Sequence, residues 1–421
     1  MDLPALSAMS PVLPAPAPPS RMVAAARRRL PPTVIALGVT SLCTDVASEM
    51  IFPLLPVFVA SLGAAPVFLG LVEGLADAVS SLLKLASGYV ADSSRAKKPL
   101  VLFGYGIAAL VRPLVALATA PWHVLAVRVS DRVGKGIRST PRDVLIASSV
   151  SNEESGRAFG FHRAMDHAGA VLGPLVATLL MAMGFSMRQV FVAALVPGVL
   201  SVLAVLSVRE VPPLDEPPAA ARDAVRDAVH DAVHEAKTLP VPLRRYLAIL
   251  ALFSLGNSSD AFLLLRAREV GISIGSLPLL WSLFHVVKVI SSSLGGTWAD
   301  RLPRRRLIVA GWLVYAATYL AFGLATQPMH MWGLFVVYGA YYGLTEPAEK
   351  ALVKDLAPPS MRGRAYGAYN FILGASAVPA GLLTGVLWQS FGPLAALATG
   401  AALAAVASLA ILVSVREART A

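Results

Sequence analysis

Gly88-Tyr89-Val90-Ala91-Asp92-Ser93-Ser94-Arg95-Ala96-Lys97-Lys98 closes one long apolar segment, crosses a short basic loop and leads into the next segment at Pro99. A second version, Gly296-Thr297-Trp298-Ala299-Asp300-Arg301-Leu302-Pro303-Arg304-Arg305-Arg306, follows 208 positions later. Each copy reads small residue, spacer, Asp, then a cluster of cations. In a tight loop between apolar helices the acid can accept hydrogen bonds from a neighbouring helix N-terminus, while the cations stay on the cytoplasmic face. Recurrence at half the chain length predicts two repeated halves.

Composition supports a membrane protein. Of 421 residues 56% are hydrophobic and only 14% charged, with mean hydropathy +0.67. Soluble domains carry roughly a quarter charged residues. Apolar runs recur nearly end to end, each close to the roughly 20 residues a span requires, so twelve spans fill the chain. The net charge of +11 does not point to nucleic acid, because the cations sit in alternate loops: Arg27 to Arg29, Arg95 to Lys98, Arg301 to Arg306, Arg362 with Arg364, and Arg416 with Arg419. Loops of opposite parity hold little beyond His123, Arg188, Arg266 and Arg268. That asymmetry predicts cytoplasmic termini. Cys43 is the single cysteine, which excludes an intrachain disulfide and a cysteine-rich metal site.

The expected organisation is a Pro- and Ala-rich cytoplasmic tail over 1–30, a six-helix half over 31–208, a cytoplasmic linker over 209–243, a second half over 244–416 and a tail over 417–421. Nothing in the first tail has the form of a secretory signal, and Met22 is an alternative start. In the linker, Val225, Val229 and Val233 recur every four residues and read as a solvated amphipathic helix. His230 and His234, at i, i+4, lack the further ligands that a metal site needs. Further internal matches join the loop repeat. Ser41-Leu42 through Asp45 is echoed by Ser254-Leu255 through Asp260, Pro141-Arg142-Asp143 by Pro347-Ala348-Glu349, and Gly156-Arg157-Ala158-Phe159-Gly160 by Gly363-Arg364-Ala365-Tyr366-Gly367. The fold class is all-α membrane protein, twelve transmembrane helices in two six-helix pseudo-symmetric halves.

Ionisable residues within spans are the informative ones, since each costs at least about 2.5 to 3.5 kcal/mol at mid-membrane on insertion scales. They fall on shared helical faces. Asp45 and Glu49 share helix 1; Glu73, Asp77 and Lys84 share helix 2; Arg112 precedes Pro113 on helix 3. Helix 4 carries Arg128, Asp131, Arg132, Lys135, Arg142 and Asp143, and helix 5 carries His162, Arg163, Asp166 and His167. These groups predict a buried network or a hydrated cavity. The run from Gly134 to Pro141 is expected to loosen helix 4 beside that cavity. Second-half candidates are Asn257, Asp260, His285, Lys288, Tyr341, Tyr342 and Glu346, with Glu349 and Lys350 near the cytoplasmic gate.

The loop spacing, Gly-x-x-x-Asp-x-x-Arg-x-Lys/Arg, resembles the signature of the major facilitator superfamily (MFS). Gly169-Ala170-Val171-Leu172-Gly173-Pro174 resembles the Gly-x-x-x-Gly-Pro motif of its antiporters, with Ala177-Thr178 where two glycines usually stand. Arg128-Val129-Ser130-Asp131 resembles its Arg-containing helix 4 motif, with Arg132 replacing the usual glycine. The segments Thr44-Asp45 to Pro56 and Asp131 to Asp143 are similar to a little-characterised prokaryotic subgroup. The resemblance implies alternating access in a prokaryotic plasma membrane, with Gly88, Asp92, Arg95, Gly296, Asp300 and Arg304 as the cytoplasmic gate.

The reading is a secondary transporter of a small solute, expected to export it in exchange for protons as a monomer in the lipid bilayer, with no cofactor and no enzymatic activity. Asp45, Glu49, Glu73, Asp77 and Asp166 are the coupling candidates. Lys84, Arg112, Arg128 and Arg132 are counter-charges or anion ligands. Uptake of an organic anion, metal-ion export through Asp45, His162, Met165, Asp166 and His167, and a non-transporting receptor or scaffold are the alternatives.

Overall fold

A computed structural model describes residues 30–93, 97–151, 154–209 and 239–414. Both tails, Arg95, and His230 and His234 with nearly all of the linker lie outside the described residues, as do the side chains of Asp92 and Asp300. The described residues form twelve helical segments and no strand. The first half comprises α1 (Pro32–Ser61), α2 (Pro66–Ser93), α3 (Lys98–Leu117), α4 (Pro121–Ser148), α5 (Ser155–Ala182) and α6 (Met187–Leu206). The second comprises α7 (Val241–Glu269), α8 (Leu277–Arg301), α9 (Arg304–Leu324), α10 (Pro328–Leu356), α11 (Arg362–Phe391) and α12 (Pro393–Ser414). Pro32, Pro66, Pro121, Pro328 and Pro393 open their helices, where the missing N–H costs nothing. Ten of the segments are long and apolar enough to cross a membrane by composition alone. The other two are α4, with its ionised face, and α10, with its tyrosines and acids.

Packing repeats between the halves. In the first, α1 lies on α5 and α6, α2 on α4, and α3 on α4 and α6; in the second, α7 lies on α11 and α12, α8 on α10, and α9 on α10 and α12. The same symmetry relates the two seams between halves, α2 against α11 and α8 against α5. The α2–α11 seam is made by small residues at the end away from the basic loops. Gly70 faces Gly381 backbone to backbone, and a Cβ on Gly74 would sit 2.8 Å from the Ala377 carbonyl oxygen. Along the other seam, Ser282 Oγ donates to the Val171 carbonyl at 3.0 Å. Towards the basic loops a concavity lies between α5 and α8.

Two local features differ from the sequence expectation. The Gly134–Pro141 run does not loosen α4, which is continuous through Pro141. Its glycines serve packing instead: Gly134 lies against the Gly104 carbonyl of α3, and Gly136 against Leu83 of α2. Conversely α7, expected to be one helix, is broken. It stops at Gly256 and restarts at Ala261. α1 also tightens into a 3₁₀ turn at Phe52–Leu54, where Pro53 cannot donate.

Gly169 and Gly173 bring α5 onto α1, because Cβ atoms there would lie 2.7 Å from the carbonyl oxygens of Leu42 and Val46 respectively. Gly173→Val should therefore overpack this contact, destabilising the protein by about 1–3 kcal/mol. Gly367→Ala, whose Cβ would meet nothing within 4 Å, should leave stability unchanged or slightly raised. Thermal unfolding of the two purified variants checks the contrast.

Candidate functional site: a charged cavity between the halves

A cavity of about 370 Å³ lies between the halves, lined from the first by Phe52, Glu73, Asp77, Lys84, Arg132 and Lys135 and from the second by the α7 break, Tyr342 and α11. The break builds one wall. Asn257, Ser258, Ser259 and Asp260 all face the cavity. Non-helical backbone at membrane depth needs partners, and the second-half tyrosines supply them. Tyr315 donates to the Gly256 carbonyl at 2.9 Å and Tyr319 to the Ser258 carbonyl at 3.3 Å. Tyr338 donates to Asp260 Oδ1 at 2.6 Å, which fixes that carboxylate at the cavity edge. The run Gly256-Asn257-Ser258-Ser259-Asp260, small and polar inside an apolar segment, is the sequence signal that marks this break.

Four of the first-half charges neutralise one another. Arg128 forks onto Glu73, Nε to Oε1 at 3.0 Å and Nη2 to Oε2 at 2.6 Å, with both side chains buried. Arg112 donates to Asp131 Oδ1 at 2.8 Å and to the Thr44 carbonyl at 2.7 Å, pinning α3 to α4 and α1. Bidentate guanidinium–carboxylate geometry meets the hydrogen-bonding demand that a buried ion pair imposes. Arg112, Arg128 and Asp131 stand outside the cavity lining, whereas Glu73 reaches it with its charge already matched.

The cavity surface is left with Lys84, Arg132 and Lys135 facing Asp77 and Asp260. Arg132 Nε lies 3.8 Å from Asp77 Oδ1. Lys84 and Lys135 have no carboxylate within ion-pair distance among the described residues. Of the sequence-derived set, then, the structure brings Glu73, Asp77, Lys84, Arg132, Lys135, Asn257, Asp260 and Tyr342 into one cavity.

The remaining candidates form separate groups. Asp45 lies on α1 against Gly169, without a hydrogen bond or ion pair to a described side chain. Glu49 joins the halves: Trp281 Nε1 donates to its Oε2 at 2.8 Å, and His285 Nε2 stands 3.8 Å away. Asp166 accepts from Ser41, with His162 Nδ1 at 3.7 Å and Arg163 at 3.8 Å. Gly169, Gly173 and Pro174 form part of α5, the two glycines at the α1 contact. Of the gate residues, Gly88 and Gly296 lie in α2 and α8 near their basic-loop ends, and Arg304 pairs with Asp355 at 2.9 Å. Glu349 is buried in the second-half core, accepting from Trp312 at 3.0 Å and Tyr369 at 2.9 Å. Among the described residues no group of three or more His, Cys, Asp or Glu side chains is placed to hold a metal ion.

Two six-helix halves, related by repeated packing and meeting around a polar cavity at the broken α7, define a polytopic membrane transporter. The sequence model of the Major Facilitator Superfamily matches residues 37–265 and 247–421, and the chain belongs to that family. An uncharacterised MFS-type transporter of Methanocaldococcus jannaschii is 31% identical, over 91% of this chain and 95% of its own. The multidrug resistance protein MdtH of Photorhabdus laumondii is 25% identical over 76% of this chain and 77% of its own. Among solved structures, the nucleoside transporter NupG superposes with a TM-score of 0.75 at 13% identity, covering 92% of this chain and all of its own, a likeness of fold.

Removing one member of the buried pair should expose its cost. Glu73→Gln leaves Arg128 charged and unmatched, and a loss of about 3–5 kcal/mol is expected. Glu73→Leu combined with Arg128→Met should recover most of it, because the desolvation of both ions is removed together. Unfolding midpoints of the single and double variants form the cycle that checks this.

Proposed function

We propose that this protein is a proton-coupled secondary transporter that exports a small organic anion by alternating access. The observation that carries the reading is the cavity's charge. Lys84, Arg132 and Lys135 line it, Arg132 is only loosely engaged by Asp77, and Asp260 is already held by Tyr338. Three cations facing two acids in a low-dielectric cavity leave an excess positive charge that attracts an anion. The flanking Ser80, Ser81, Asn257 and Ser258 offer hydroxyl and amide groups that would fix its orientation.

The proton role falls on Asp45. It stands on α1 without a fixed partner, unlike Glu73 and Asp131, which are engaged by Arg128 and Arg112. The export direction draws on the similarity to multidrug resistance proteins. The alternation of basic and neutral loops supports a prokaryotic inner membrane with the basic loops in the cytoplasm.

The test is flux in proteoliposomes under an imposed pH gradient, with a panel of organic anions beside cationic drugs and divalent metals. Anions alone should dissipate the gradient. Arg132→Gln and Lys135→Gln should each lower anion flux by tenfold or more, and Asp45→Asn should remove proton movement while leaving anion exchange. Dissipation by cations instead of anions would overturn the substrate class, and unchanged proton flux in Asp45→Asn would overturn the coupling site.

A further inference from the structure

A second concavity lies between α5 and α8, and the transport cavity does not use it. It has a volume of about 910 Å³ and is walled by α5, α8 and the Glu346–Lys350 stretch of α10. Its two ends differ chemically. At the basic-loop end stand Arg163, Lys350 and Ser292, and the hydroxyl of Ser292 is buried without any hydrogen-bond partner. Lys350 is paired with Glu346 at 2.8 Å, and Arg163 is held only at 3.8 Å by Asp166. Further along are Val171, Leu172 and Val286, of which Leu172 and Val286 are exposed large apolar side chains.

Lys288 sits between these ends. It precedes the last residue of α8 by thirteen positions, roughly 20 Å of helix, well inside a hydrocarbon layer of about 30 Å. It has no carboxylate within ion-pair distance among the described residues; its Nζ stacks on the Tyr342 ring, 3.7 Å from the centroid. A cation at that depth calls for a partner. Tyr342 in turn lines the central cavity, so the Lys288–Tyr342 contact is the partition between groove and cavity.

We propose that the groove between α5 and α8 binds an anionic lipid of the leaflet next to the basic loops, and that Lys288 and Tyr342 form its gate to the central cavity. The headgroup lies against Arg163, Ser292 and Lys288, and the acyl chain follows Leu172 and Val286 beyond them. Polar-to-apolar order along the groove matches the order along such a lipid, and the excess of cations over Glu346 selects its charge. The binding site stands on the groove alone; the path inward rests on the cavity's being the transport site.

The probe is a lysophosphatidylglycerol with a fluorescent chain, titrated against the full-length protein in neutral detergent. Lysophosphatidylcholine carrying the same fluorophore and free glycerol phosphate serve as comparisons. The anionic lipid should bind at least tenfold more tightly than the zwitterionic one, and glycerol phosphate should fail to displace it. Lys288→Leu with Arg163→Gln should weaken binding tenfold or more. Val289→Trp, which fills the groove and keeps every charge, should do the same, so a folding defect in the first variant does not shelter the idea. Equal affinity for both lipids, full displacement by glycerol phosphate, or insensitivity to both variants would overturn the site. Selective lipid binding without flux of any soluble anion would uphold the groove and sink the cavity reading; anion flux without selective lipid binding would do the reverse.

Discussion

The fork of Arg128 onto Glu73 is the contact on which the first half depends. An ionised group inside a bilayer must find an opposite charge and enough hydrogen bonds, and this pair does so while tying α4 to α2. Because α2 is fixed there, its glycine face is presented to α11, and the seam between halves can close backbone to backbone at Gly70 and Gly381. Arg112 adds the second tie, from α3 to α4 through Asp131 and to α1 through the Thr44 carbonyl. Once these pairs are satisfied, Asp77, Lys84, Arg132 and Lys135 are the charges of α2 and α4 left at the cavity, while the buried Arg138 is met away from it by the Gly104 carbonyl and the Tyr105 ring.

The second half meets the same demand by another route. Its core is aromatic, with Phe253 stacked on Trp312 at 4.3 Å and Tyr315 on Tyr319 at 4.0 Å. Tyrosine suits this place because its ring packs as a hydrophobe while its hydroxyl satisfies a buried acceptor. Through those hydroxyls the broken α7 keeps its backbone partnered, and Asp260 is held without an arginine. The cavity thus has one ionic wall and one wall of amide, hydroxyl and ring.

Much of the architecture was legible in the sequence, since the repeated Gly-x-x-x-Asp loop and the apolar periodicity depend on local pattern alone. The halves, the number of segments and the crowding of charge on α4 follow from that. Partners did not. Helical spacing says which residues share a face, yet not which face lies opposite, so Arg112 with Asp131 and Arg128 with Glu73 were indistinguishable from their exchanged pairings. The glycines of α4 were misleading for a related reason. Gly134 is at once a weak helix former and a route to close packing, and the α3 backbone that decides between these is distant in sequence. The α7 break was written in Gly256 to Asp260, but its tolerance depends on Tyr315 and Tyr319, some sixty positions away.

The pseudo-symmetric seams also constrain how the halves can move. On the α2–α11 side the contact is small residue against small residue, which resists separation only by van der Waals attraction and carries no polar lock among the described side chains. On the α5–α8 side the seam is polar. Glu49 accepts from the Trp281 indole N–H, the Ser282 hydroxyl donates to the Val171 carbonyl, and Phe52 lies against Trp281 with ring centroids 5.1 Å apart. Any opening of this end must strip Glu49 of its donor while the neighbouring His285 Nε2, buried without a hydrogen-bond partner, stands 3.8 Å away. A carboxylate released there would keep the Ser48 hydroxyl at 3.4 Å, with the imidazole as the next nearest group. Phe52 meanwhile lies under Arg128, 5.5 Å from its guanidinium carbon, and lines the cavity. The Trp281 contact, the buried ion pair and the cavity wall therefore meet in one short stretch of α1, from Glu49 to the 3₁₀ turn at Phe52.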